Sequence, residues 1–105
     1  HRLVITAGGV PLDAQGNLVG AGDVAAQTRQ VIANLIAQLQ LGGATPEDVL
    51  KTTVFVAATD NPDLVTAWQE VQASPLAPAA STLLGVACLG YSGQLVEIEA
   101  IAAVE

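Results

Sequence analysis

The chain has 105 residues, 51% of them hydrophobic, and a formal net charge of −7. This length supports one hydrophobic core and not two, so we predict a single domain over residues 1–105. The longest apolar runs, such as residues 100–104, are far shorter than the roughly 18 residues that a membrane-spanning helix requires. We therefore expect no membrane partner. Only 3 fixed cations are present to neutralise a phosphate backbone, so we expect no nucleic-acid partner either.

The first predicted element is a strand over Leu3–Ala7. His1 leads directly into this apolar run and the chain contains no methionine, so we expect that the natural N-terminus has been trimmed or is not included in this sequence. No basic and apolar leader segment precedes the strand, and a single cysteine fits a reducing compartment, which together favour a cytoplasmic location. The glycines at positions 8 and 9 and a turn at residues 15–17 end the strand and predict a short second extended piece.

A long amphipathic helix is predicted next, over residues 23–41. Asp23 can cap its first N–H groups, and Gly42-Gly43 supplies the left-handed residue that commonly ends a helix. The apolar positions follow helical spacing and are Val24, Val31, Ile32, Leu35, Ile36 and Leu39. The polar positions, which we expect on the solvent side, are Gln27, Arg29, Gln30 and Gln38.

A short helical turn and a strand follow this helix. Thr45-Pro46-Glu47-Asp48 combines a capping hydroxyl with proline at the first helical position, which is typical of a helix start. The β-branched residues of Leu50–Ala57 alternate with the period of a strand.

The last third of the chain predicts a second helix and two strands. The helix opens at Asn61-Pro62 and stops before Pro75, and its apolar positions are Leu64, Val65, Trp68 and Val71. The strands cover Thr82–Leu89 and Leu95–Val104. Cys88, near the end of the first of them, is most simply a small buried apolar residue.

This order of elements predicts an α+β fold, with a mixed sheet and both helices on one face. The aliphatic content is high for so short a chain, so apolar surface should remain on the other face of the sheet. A homo-oligomer is the commonest way to cover such a face. We therefore expect the chain to be one subunit of an oligomer.

The informative polar residues lie in the last strand, where Glu97 and Glu99 share one face with Ile101. Burying a carboxylate costs free energy unless it is paired or hydrogen-bonded, so each glutamate lies near a cleft or is held by a partner. The pattern alone leaves open a structural role and a ligand site. The single histidine, the single cysteine and the glycine spacings predict no histidine-based nucleophile, no metal site and no nucleotide cofactor.

Four blocks resemble a known family in their order and spacing: GGVPLD at 8–13, AQTRQVIANL at 26–35, GGATPEDVLKTTVFV at 42–56 and VEIEAIA at 96–102. They are similar to the Rid family, the reactive intermediate deaminases also called YjgF-like proteins. The resemblance covers nearly the whole chain. It implies a chorismate-mutase-like fold with two helices packed on one face of a mixed sheet, a homotrimer, and small-molecule clefts at the subunit interfaces.

The resemblance also implies a reaction class. Family enzymes hydrolyse reactive imines or enamines formed from amino acids, releasing ammonia and a keto acid without a metal or organic cofactor. The first glutamate of the VEIEAIA block, here Glu97, is the residue that the resemblance implies as catalytic, because it positions or activates water. Glu99 is then an outer, structural carboxylate.

This chain departs from the family pattern at the residue that grips the substrate carboxylate. Family deaminases carry an arginine in a Pro-Ala-Arg-Ser-like block, whereas this chain has Pro-Ala-Ala-Ser-Thr at residues 78–82. The arginine position falls on Ala80 or, if Gly85-Val86 sets the register, on Ser81, and neither can neutralise a carboxylate. We expect Arg29 and Lys51 to be solvated charges and not replacements.

Other departures from the family pattern also indicate that amino-acid-derived imines bind poorly. The serine that usually precedes the first family glycine is Ala7, the asparagine position of the second helix is Val65, and the N-terminal Gly-Pro-Tyr segment of the family is missing.

Two hypotheses remain. The first is an imine or enamine deaminase with altered specificity, in which the substrate-binding residues are Gly8, Gly9, Ser81, Val86 and Cys88. The alternative is a non-catalytic homotrimer that binds a small molecule or acts as a scaffold. Some family members have been called ribonucleases or translation inhibitors, but a net charge of −7 argues against strong RNA binding here.

Overall fold

The computed structural model describes residues 2–105, so His1 lies outside the described residues. The strands are β1 (Arg2–Ile5), β2 (Val49–Ala57), β3 (Ala80–Val86) and β4 (Val96–Val104), and the helices are α1 (Val24–Leu41) and α2 (Asn61–Gln72), with a 3-10 turn over Pro46–Asp48. The sheet has the strand order β1-β4-β2-β3. The pair β2–β3 is parallel and the other pairs are antiparallel. The predicted α+β class and mixed sheet are confirmed.

Local signals set the ends of α1 and of the 3-10 turn. Asp23 Oδ1 accepts a hydrogen bond from the Ala26 N–H at 3.0 Å, and Gly43 follows the helix with a φ of +85°, which few other residues adopt. In the turn, the Asp48 carboxylate accepts from the Thr45 N–H at 2.8 Å. Helix α1 and the 3-10 turn therefore begin directly after Asp23 and Thr45, as the sequence predicts.

One hydrophobic core lies between the helices and one face of the sheet. Its fully buried side chains alternate along the strands and recur at helical spacing, and they include Val31, Leu35, Leu39, Val54, Val56, Val71, Val96 and Ile98. Neither helix within residues 2–105 combines the length and apolarity that crossing a bilayer requires.

The other face of the sheet carries no helix, and we call it the open face. It consists of the alternate residues of all four strands: Leu3 and Ile5; Lys51, Thr53, Phe55 and Ala57; Ala80, Thr82, Leu84 and Val86; and Glu97, Glu99, Ile101 and Ala103. Leu3 is 60% exposed, Ile5 69% and Ile101 38%. The predicted surplus of apolar surface on this face is confirmed.

Two strands end earlier than predicted. The first strand ends at Ile5 and not at Ala7, since the Ala100 N–H donates to Thr6 Oγ1 at 2.9 Å where a backbone carbonyl would continue the ladder. The third ends at Val86 and not at Leu89, because Val86 pairs with Ala57, the last residue of β2.

The predicted second extended piece is wrong as a strand. Residues 12 and 18 form an isolated bridge, and the chain between them is a tight loop. Asp13 Oδ1 accepts hydrogen bonds from the N–H groups of Gln15 and Asn17, both at 2.9 Å. These backbone donors are satisfied inside the loop and need no neighbouring strand.

Two predicted burials and one predicted exposure are also wrong. Val65 is 49% exposed because the buried stripe of α2 runs through Ala67 and Val71. Cys88 is exposed because it follows the end of β3. Gln27, predicted to face solvent, is fully buried in the core side of α1.

Candidate functional site

Glu97 lies near the start of β4, on the open face, where it pairs across the sheet with Phe55. Its side chain is half-buried and lies directly against Gly8. A β-carbon at position 8 would overlap the carboxylate and would be 2.7 Å from Glu97 Cγ. Glycine is therefore needed at position 8 for the Glu97 side chain to occupy this place.

A glutamine holds the same carboxylate from the other side. Gln94, just before β4, donates from Nε2 to Glu97 Oε1 at 3.0 Å. A second hydrogen bond from Nε2, to the Val96 carbonyl at 3.0 Å, keeps the amide in place. Glu97 is thus packed between a glycine and an amide donor. The sequence predicts that a carboxylate on this strand lies near a cleft or is held by a partner, and Gln94 is such a partner.

Gln27 of α1 fixes the loop that carries Gln94. Its Oε1 accepts from the Leu95 N–H at 2.7 Å, and its Nε2 donates to the carbonyls of Gly93 at 3.0 Å and Gly20 at 3.1 Å. The sequence prediction missed this role. Position 27 lies three residues after Val24 and four before Val31, so helical spacing already placed it on the buried stripe.

Gly9 has a structural role beside the site. It forms a bridge with Ile98, in which its N–H donates at 2.6 Å and its carbonyl accepts at 3.2 Å. A β-carbon there would lie 3.0 Å from the Val31 carbonyl oxygen. The Gly9 N–H is thus engaged by β4, and the structure brings Gly8, not Gly9, to the Glu97 carboxylate.

The predicted binding residues of the third strand divide between the two faces. Ser81 lies on the helix side, where its Oγ accepts from Thr52 Oγ1 at 2.7 Å, so it does not share a face with Glu97. Ala80 is on the open face beside Lys51. Val86 is on the open face too, and Cys88 is in the exposed loop beyond β3. Of Ala80 and Ser81, the two positions where the family arginine could fall, only Ala80 therefore lies on the same face of the sheet as Glu97.

A second polar group occupies the middle of the open face. A shallow pocket of about 110 Å³ is lined by Ile5, Thr6, Lys51, Thr53, Glu99, Ala100 and Ile101. Lys51 is half-buried, and its Nζ donates to Thr82 Oγ1 at 2.6 Å in an exposed contact. Arg29 lies away from this face in an ion pair with Glu70 at 2.8 Å, so it is not a replacement for the family arginine.

Fold and site together define a class of protein: a small α+β domain with a glycine-packed glutamate on the open face of its sheet. The profile of the family described as Endoribonuclease L-PSP matches residues 1–104. The chain belongs to this family, which is the YjgF/Rid family, and the predicted resemblance is confirmed.

Several relatives carry informative names. The 2-iminobutanoate/2-iminopropanoate deaminase of Salmonella typhimurium is 44% identical over 54 residues, 51% of this chain and 41% of that protein. The RutC family protein slr0709 of Synechocystis is 44% identical over 57 residues, 53% of this chain and 44% of its own length. The matched stretch thus spans less than half of these curated relatives.

Solved structures match over almost the whole chain. The Rid-family protein YyfB of Yersinia pestis superposes with a TM-score of 0.84 at 38% identity, covering 99% of this chain and 80% of that one. The YjgF gene product of Escherichia coli gives a TM-score of 0.84 at 34% identity, covering 100% of this chain and 83% of its own. The architecture is therefore that of the YjgF/Rid proteins.

Proposed function

We propose that this chain, as a single Rid-type domain, hydrolyses small reactive imines or enamines, with Glu97 positioning the attacking water. The observation that carries this proposal is the placement of Glu97, which lies against Gly8 and accepts a hydrogen bond from Gln94. The relative from Salmonella typhimurium, named as an imine deaminase, supports the reaction class.

The proposed reaction needs no partner other than water. Water adds to the carbon of the protonated imine as Glu97 takes one of its protons, which gives a neutral carbinolamine. Glu97 returns that proton to the amino group, the C–N bond breaks as Glu97 accepts the hydroxyl proton, and the released ammonia takes this proton from Glu97 and leaves the carbonyl product as ammonium. An enamine enters the same sequence after tautomerising to the imine.

We further propose that the substrate lacks a carboxylate next to the imine carbon. Ala80 offers no cation on the Glu97 face, and Ser81 is turned to the helix side. Hydrogen bonds to a charged group are worth about 1.5–3 kcal/mol each, so the loss of a bidentate arginine weakens binding of imino acids strongly. Neutral imines carry no carboxylate, so the absence of the arginine does not weaken their binding.

The proposed assembly is a homotrimer with ligand clefts between subunits. The exposed side chains of Leu3, Ile5 and Ile101 form an apolar stripe on the open face, next to the pocket beside Glu99. A second copy of the chain would remove this stripe from water. The neighbouring subunit would close the open side of the Glu97 site.

The proposal is tested by ammonia release from purified protein. Amino-acid oxidase generates imino acids in situ, amine oxidase generates neutral imines, and the Salmonella typhimurium deaminase serves as the positive control. We expect faster hydrolysis of neutral imines, which Glu97→Gln lowers to a small residual rate and Glu99→Gln leaves unchanged. No acceleration with any imine, while the control enzyme is active, would exclude deaminase activity.

The second candidate is a non-catalytic binding or scaffolding trimer. The alanine at position 80 favours it, since a site without the carboxylate-binding group can hold a neutral ligand without turnover. Calorimetric titration with neutral keto compounds distinguishes the two functions. A binder retains affinity in Glu97→Ala and never releases ammonia, whereas a deaminase loses turnover in that variant.

A further inference from the structure

Gln94 has every polar atom of its carboxamide engaged. It is only 3% exposed, and its Nε2 donates to the Val96 carbonyl and to Glu97 Oε1, both at 3.0 Å. Its Oε1 accepts from the Tyr91 N–H at 3.1 Å. No other orientation of the amide satisfies these neighbours, because an N–H can only donate and a carbonyl can only accept.

We propose that Gln94 is a positioning residue for Glu97, which it holds with Oε1 occupied and Oε2 turned toward Gly8. This inference rests on the proposed hydrolysis, because it assigns the two carboxylate oxygens different tasks in that reaction. Oε1 accepts the fixed amide proton throughout, and Oε2 takes the proton from water and returns it. Rotation of the carboxylate, which would exchange the two oxygens, breaks the bond to Gln94.

A carboxamide suits this task for chemical reasons. It neither gains nor loses a proton at neutral pH, so it cannot compete with Glu97 for the proton of water. Its two N–H groups are fixed in one plane, and one of them is anchored on the Val96 carbonyl. The direction of the other, and with it the plane of the Glu97 carboxylate, is therefore set by the backbone.

The loop that carries Gln94 is itself held by the core. The buried Gln27 accepts from the Leu95 N–H at 2.7 Å and donates to the Gly93 carbonyl at 3.0 Å, so it holds the residues on both sides of Gln94. The side-chain hydrogen bonds of this second glutamine go to Gly20, Gly93 and Leu95 and not to Glu97. The arrangement separates two tasks: Gln27 fixes the loop, and Gln94 fixes the carboxylate.

Steady-state kinetics on two backgrounds test the proposal. In the active protein, Gln94→Leu should lower kcat about tenfold or more, the equivalent of one hydrogen bond to a charged group, and change KM by about twofold at most. In the Glu97→Gln background the same change should leave the residual rate unaltered. A purely structural role would lower both rates in proportion, and that result would overturn the inference.

The pH dependence of Gln94→Glu gives an independent readout. An ionised carboxylate at position 94 cannot donate to Glu97, whereas a protonated one can donate a single O–H. The rate of this variant relative to the wild type should therefore rise as the pH falls from about 8 to about 5, where the introduced group gains its proton. A ratio that does not change with pH contradicts the assignment.

The contact itself can be measured without turnover, which separates this inference from the proposed function. In ¹H–¹⁵N NMR spectra, the Gln94 amide proton donated to Glu97 should move upfield in Glu97→Ala, while the Gln27 amide signals stay in place. If the Gln94 signals are unaffected, Gln94 does not position Glu97, whether or not the protein hydrolyses imines. If the wild type shows the contact but no hydrolysis, the proposed function fails and Gln94 still fixes the carboxylate.

Discussion

A methyl group at position 8 would occupy the space that the Glu97 side chain fills, so Gly8→Ala perturbs the site through packing alone. The added β-carbon would be 2.7 Å from Glu97 Cγ, about 0.7 Å closer than the 3.4 Å at which ordinary contact begins. Gly8 is not among the glycines with a positive φ, so its backbone accepts alanine without strain. The Glu97 side chain must therefore move away from position 8.

The displacement is large enough to break the hydrogen bond from Gln94. This bond is 3.0 Å long, and a shift of that size takes it beyond the usual range of about 2.7–3.2 Å. Losing a hydrogen bond to a charged group removes about 1.5–3 kcal/mol, so we expect kcat to fall about tenfold or more. The free energy of unfolding should change little, because the clash falls on the far end of a flexible, half-buried side chain.

Gly90→Ala is the matched control, because Gly90 lies in the loop before β4, has no atom within 4 Å of a built β-carbon and lacks a positive φ. Ammonia release gives kcat, and urea unfolding gives the stability of both variants. We expect Gly90→Ala to match the wild type in both. A Gly8→Ala protein with wild-type kcat would refute the packing argument, since the carboxylate would then tolerate displacement.

Three further predictions concern stability and assembly. Gln27→Leu should lower the free energy of unfolding by about 1–3 kcal/mol in urea titrations, because it leaves part-buried backbone groups at Gly20, Gly93 and Leu95 without their partner. Arg29→Ala should cost less than about 1 kcal/mol, since the side chains of its ion pair with Glu70 are 60% and 25% exposed, and a larger loss would contradict this. Ile5→Asp should shift sedimentation toward the monomer, whereas Leu41→Asp, at a residue 91% exposed at the end of α1, should not.

The elements that the sequence predicts well are those whose signals are local. Asp23 and Gly43 stand at the ends of α1, and the buried stripe between them recurs at helical spacing. The β-branched alternation of β2 likewise depends on its own residues. Such elements need no knowledge of their neighbours, because capping and periodicity are properties of a short segment.

The elements that were predicted less well depend on contacts between distant segments. The end of β3 is set by where β2 stops, and the end of β1 by the hydroxyl of Thr6 replacing a carbonyl. The exposure of Cys88 follows from the first of these. The role of Gln27 is distant too, because its partners Gly93 and Leu95 are more than 60 residues away in the chain.

The two glutamates of β4 show what the structure adds to the pattern. Strand alternation makes Glu97 and Glu99 equivalent, and both do lie on the open face. Their surroundings differ, since Glu97 is half-buried against a glycine and an amide donor, whereas Glu99 is exposed at the rim of a shallow pocket. A carboxylate that moves protons in a defined direction needs fixed partners, and only Glu97 has them among the described contacts. The predicted loss of turnover in Glu97→Gln, and its retention in Glu99→Gln, follow from this difference in support and not from their position in the strand.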